Sequence, residues 1–73
     1  MICKRLYRYI LQNCAEMEKG MYEYGIQCAV DKEIDFAAVA KTFDELKFTT
    51  EDRDSNIKII VKGFCKGLAK AEH

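Results

Sequence analysis

Between Cys3 and Cys28, residues recur in alternating steps of four and three: Cys3, Tyr7, Ile10, Cys14, Met17, Met21, Tyr24 and Cys28. None of the eight is charged. A 3.5-residue period keeps such a row on one side of a helix, where it faces a partner helix. Coiled coils favour Leu, Ile and Val in such a seam, whereas Cys, Met and Tyr suit the irregular packing of a small bundle. The spacing therefore predicts one long helix over residues 2–30. Gly20 and Gly25 each weaken a helix by about 1 kcal/mol relative to Ala and mark where it would kink. A break near Gly20 would give a four-helix bundle, but the seam stays in phase across both glycines, which favours an unbroken helix.

Asp31-Lys32-Glu33 is a polar break. Asp35 has the character of an N-cap, and Ile34 and Val39 flank it at the spacing of a hydrophobic staple. A second helix is expected over 35–47, with Phe36, Val39, Ala40, Phe43 and Leu46 as its apolar stripe. Thr49 or Thr50 can cap a third helix over 50–71, with acidic residues near its start and lysines near its end. Ile57, Ile60, Val61, Phe64 and Leu68 are its expected inward face. Seventy-three residues fit one domain, and a chain this short buries only about 60% of its unfolded surface. With 49% hydrophobic residues and no proline, regular helix packing is the expected compensation. The predicted fold is all-α: a small three-helix bundle built on a long N-terminal helix.

On a continuous first helix, successive members of the row Cys3, Cys14 and Cys28 lie about 16 to 21 Å apart at roughly 1.5 Å per residue, too far for any two of them to pair. The four cysteines are expected to be buried free thiols, which implies a reducing, cytoplasmic setting. Lys4, Arg5 and Arg8 interrupt any apolar run of the kind a secretion signal needs, and no stretch approaches the length of a membrane span.

Net charge is zero, which removes any whole-molecule attraction to nucleic acid or anionic membrane. The charges are nevertheless segregated. Residues 31–54 hold four basic against eight acidic side chains, and residues 55–73 hold four lysines against Glu72. Those lysines, Lys58, Lys62, Lys66 and Lys70, recur every fourth residue along about 18 Å of helix. Like charges at this spacing repel, and Ile59 falls between Lys66 and Lys70 on the helical wheel. An Ile framed by lysines suits an acidic, partly apolar partner, although lysines of this kind also serve simply as a solvated face.

Chemistry has little support in the sequence. The sole histidine is the terminal His73. No P-loop, nucleophile elbow or zincin pattern occurs, and the cysteine spacings of 11, 14 and 37 follow no zinc pattern. No cofactor is expected. Lys4, Arg5, Tyr7, Arg8 and Tyr9 interleave basic and aromatic residues as single-strand binders do. The Phe48–Ser55 segment is too long and acidic for a helix-turn-helix.

Leu6-Tyr7-Arg8 resembles the signature tripeptide of the LYR family, small mitochondrial three-helix proteins that bind acyl carrier protein and assembly partners. The resemblance covers those three residues. The second helix is acidic and lacks the family's Phe-Arg-type motif, so no functional role is carried over.

The expected function is that of a non-enzymatic protein–protein interaction module, an adaptor or inhibitor of a larger complex. By type it is comparable to phage or mobile-element inhibitors of host nucleic-acid-handling machinery. Its expected partner-binding residues are Lys58, Ile59, Lys62, Lys66 and Lys70, together with Asp44, Glu45 and Asp52 of a wider acidic patch (Asp31, Glu33, Asp35, Asp44, Glu45, Glu51, Asp52, Asp54). One alternative is direct nucleic-acid binding by the lysines. The other is a homodimer formed through Tyr7, Cys14, Met21 and Cys28. No membrane partner is expected.

Overall fold

The computed structural model describes residues 3–71; His73 and Glu72 lie outside them, as does Ile2. Four helices follow one another: α1 (Lys4–Gln12), α2 (Met17–Asp31), α3 (Phe36–Glu45) and α4 (Thr50–Ala71). The small all-α bundle is as expected, but the long N-terminal helix is not. It is two helices, and the break falls at residues 13–16 rather than at either glycine.

The cause is local competition for backbone acceptors. Asn13 Nδ2 donates to the Tyr9 carbonyl at 2.8 Å, and the Cys14 thiol donates to the Ile10 carbonyl at 3.3 Å. Side chains that bond back to the preceding turn in this way offer the chain an alternative to continued helix. With α1 folded back along α2, the two halves of the seam pack on each other, burying Leu6, Ile10, Met21, Tyr24 and Cys28 to 6% exposure or less. Arg5 pairs with Asp31, the Tyr9 ring meets Tyr24 edge-on at 5.3 Å, and Asn13 sits over Gly20, so α1 runs antiparallel to α2.

Two helix ends carry a lysine in the left-handed conformation, Lys32 (φ 55°) and Lys47 (φ 67°). Each completes a Schellman motif. Lys32 and Glu33 donate to the Ala29 and Cys28 carbonyls, and Lys47 and Phe48 donate to those of Asp44 and Phe43. Asp35 caps α3 as expected, its Oδ1 accepting from Ala37 and Ala38 at 3.0 and 3.2 Å. Thr49 caps α4 by accepting from the Asp52 amide at 3.1 Å. The wholly polar residues 51–56 are helix, so α3 and α4 are joined by residues 46–49 alone and the expected long Phe48–Ser55 connection, with the length argument against a helix-turn-helix, does not hold.

The principal interface joins α2 to α4, and glycines make it. A Cβ on Gly25 would run into the Ile60 carbonyl oxygen and lie 2.8 Å from the Phe64 nitrogen. One on Gly63 would strike the Tyr22 carbonyl, and one on Gly67 would come within 2.6 Å of the Ala29 methyl. Residue numbers rise together on the two helices, so they run parallel with backbones in contact. Gly25-x3-Ala29 and Gly63-x3-Gly67 are the small-residue spacings that allow such an approach.

The core lies on one side of this pair. Val39, Thr42 and Phe43 of α3 and Ile60 of α4 join the α1–α2 residues there. Three expected core residues are outside it: Phe36 (40% exposed), Val61 (40%) and Leu68 (41%). α1 packs on α2 and α3 and makes no significant contact with α4, so part of the apolar face of α4 stays uncovered.

Candidate interaction surface

Because α2 and α4 run parallel, side chains that follow the contact line on α2 and those that precede it on α4 fall on the same side. On α2 these are Tyr22, Ile26 and Val30, spaced by four residues. On α4 they are Lys62, Lys66 and Lys70. Met21, Tyr24 and Cys28 of α2, with Ile57 and Phe64 of α4, point the other way, toward the core cluster they join. Tyr22 and Ile26 are half-buried and belong to no part of that cluster, and Val30 is 58% exposed. This back face therefore has an apolar strip along α2 and lysines along α4, with α1 and α3 on the opposite side.

All four lysines are exposed, and none has a carboxylate within ion-pair distance among the described residues. Ile59 departs from its expected exposure. It is half-buried and packs against the core, because its position beside the α2 contact line tucks it between the helices.

The acidic patch is less available than its composition implied. Arg53 Nη1 donates to Asp44 at 3.0 Å and Arg53 Nε donates to Asp54 at 3.1 Å. Asp31 is held by Arg5 and Gln27, and Asp35 is committed to its cap. Glu45 and Asp52 are exposed and make no ion pair among the described residues.

The expected dimer seam does not form one surface. Met21 (0% exposed) and Cys28 (1%) are consumed in the chain's own core, Tyr7 is half-buried, and Cys14 is exposed in the α1–α2 turn. Cys65 is also exposed, so only Cys28 fits the expected buried thiol fully, with Cys3 half-buried. Of the basic–aromatic residues near the N-terminus, Arg5 is paired and Tyr9 packs on Tyr24, which leaves Lys4 and Arg8 exposed.

Folding α1 back also places Cys3 beside α2. Its sulfur lies 3.5 Å from the Tyr24 hydroxyl, next to a cavity of about 230 Å³ that both Cys3 and Cys28 line. Burial pushes the Tyr24 hydroxyl well above the usual phenol range, and the neighbouring Cys3 and Cys28 thiols add to the rise. Burial likewise raises the Cys28 thiol, opposed by the neighbouring Tyr24 hydroxyl and by the charge of Arg5.

These features define a four-helix, all-α bundle with a charge-segregated surface. The chain matches no family model, no curated protein and no solved structure, so nothing extends the tripeptide resemblance at Leu6–Arg8. Among the described residues, no helix is long and apolar enough to cross a membrane.

Proposed function

We propose that this chain is a non-enzymatic protein–protein interaction module whose contact surface is the back face of α2 and α4. The observation that carries the reading is a set of exposed lysines with no ion-pair partner among the described residues, beside an apolar strip (Tyr22, Ile26, Val30) outside the core. Lysines held every fourth residue repel one another, and an acidic, partly apolar partner relieves that repulsion while covering the strip. Such a partner is an acidic segment of a larger protein, and this chain acts as its adaptor or inhibitor. The acidic patch is the weaker candidate, since half of its eight carboxylates are engaged within the chain.

The test is affinity capture from the source cell's extract, with and without nuclease. Wild type is compared with Lys62→Glu/Lys66→Glu, with Val30→Glu, and with an Asp44→Asn/Glu45→Gln/Asp52→Asn control. The reading expects a dominant protein that survives nuclease, is lost from the first two variants and is retained by the control. Retention by the lysine and Val30 variants with loss from the control would move the contact to the acidic patch. The same lysines also favour a second reading, direct contact with phosphates, which expects captured material to vanish on nuclease treatment.

A further inference from the structure

We propose that Cys3 and Cys28 form a redox modification site, a dithiol that a low-molecular-weight disulfide such as glutathione disulfide converts into an intrachain disulfide. The break at residues 13–16 makes this possible, since α1 returns along α2 and sets residue 3 against residues 24 and 28. The Cys3 sulfur is 3.5 Å from the Tyr24 hydroxyl, and Cys28 follows Tyr24 by one turn on α2. Cys3, Tyr24 and Cys28 all line one cavity, which leaves room for the side-chain rotations that bring the two sulfurs together.

The two thiols differ in the way sequential exchange requires. Cys3 is half-buried at the start of α1, where its amide is held by the Thr42 hydroxyl at 2.9 Å, and it is reachable from solvent. Cys28 is 1% exposed and is reached only from within. The Cys3 thiolate, its proton lost to solvent, attacks one sulfur of the small disulfide. An S–S bond to Cys3 forms, the original S–S bond breaks, and one thiolate leaves and takes up a proton. The Cys28 thiolate then attacks the Cys3 sulfur, expelling the second small thiol. Two protein thiols are oxidised to one disulfide, and one small disulfide is reduced to two thiols. The product ties the start of α1 to the C-terminal half of α2. Cys14 and Cys65, both exposed, have no partner thiol of this kind and take mixed or interchain disulfides instead.

The test uses a Cys14→Ser/Cys65→Ser background, incubated folded with glutathione disulfide and followed by intact mass and peptide mapping. The proposal expects a monomer lighter by two hydrogens, with a Cys3–Cys28 cross-linked peptide. In the same background, Cys28→Ser is expected to stop at a glutathione adduct on Cys3, and Cys3→Ser to stay unmodified while circular dichroism shows it folded. A background protein that keeps a stable adduct on Cys3, resists modification, or joins only between chains overturns the proposal. So does cross-linking seen only in denaturant.

Discussion

In an exposed helix, replacing glycine by alanine stabilises by about 1 kcal/mol. At Gly63 the structure reverses that sign. A methyl group there would sit 3.0 Å from the Tyr22 carbonyl carbon and 3.2 Å from the Ile26 nitrogen, and nearer still to the Tyr22 oxygen. Ordinary carbon–oxygen contacts begin at roughly 3.3 Å. Backbone cannot rotate aside as a side chain does, so α4 must withdraw from α2 by roughly 1 Å. A gap of that size forfeits about a quarter to a half of each dispersion contact it opens, and this is the largest interface in the molecule. Overpacking of a well-fitted site costs about 1–3 kcal/mol, and a backbone clash belongs at the upper end. Subtracting the helix-propensity gain leaves a net loss of about 2 kcal/mol. For 73 residues, total stability is on the order of 4–11 kcal/mol. The midpoint of thermal unfolding for Gly63→Ala, followed by circular dichroism, is therefore expected to fall by roughly 8–16 °C. Ala69→Gly on the exposed face of α4 reads the propensity effect alone, a loss of about 1 kcal/mol. A Gly63→Ala protein that melts at or above wild type would refute the backbone-to-backbone packing of α2 and α4 at Gly63.

Thr42→Val keeps the volume of a fully buried residue but removes the hydroxyl that accepts from Cys3 and donates to Ala38. Stability in urea is expected to fall by about 1–3 kcal/mol, with Thr42→Ser losing much less; equal losses would argue against the hydrogen bonds. Lys47→Gly relieves a left-handed side-chain conformation and is expected to stabilise by about 0.5–1 kcal/mol, whereas a loss of stability would contradict the Schellman geometry. Tyr24 favours its protonated form in the folded state, because burial raises its pKa above the ordinary value of 10.0. The stability from this shift is present below that value and is lost as pH climbs above it. Subtracting the alkaline absorbance titration of Tyr24→Phe from that of wild type isolates the residue. Its ionisation should coincide with loss of helical signal, and ionisation near pH 10 in a still-folded protein would count against it.

Much of the backbone was readable from local chemistry. The Asp35 cap, the Asp31–Glu33 break and the extent of α4 follow from side chains that act on their immediate neighbours. The break at residues 13–16 was not readable from periodicity, because a heptad seam keeps its phase whether the rod continues or folds back on itself. Its signal was Asn13-Cys14, two side chains able to bond the preceding turn. That one difference altered the thiols as well, since the axial distance between Cys3 and Cys28 has no meaning once α1 reverses. The glycines carried information that helix propensity alone obscured. Gly25-x3-Ala29 and Gly63-x3-Gly67 are matched small-residue spacings, and they permit the close pairing that leaves one side of α2 and α4 to the core and the other to solvent. The lysine row was legible throughout, but its neighbours were not. Tyr22, Ile26 and Val30 stand beside it because of that pairing, while Ile59 is drawn inward by it.

The most direct test of the proposed surface is quantitative capture of the nuclease-resistant partner by wild type, Lys62→Glu/Lys66→Glu and Asp44→Asn/Glu45→Gln/Asp52→Asn, all confirmed as folded. The account predicts that the lysine variant loses the partner and the acidic-patch variant keeps it. Full retention by the lysine variant, with loss from the acidic one, would contradict it.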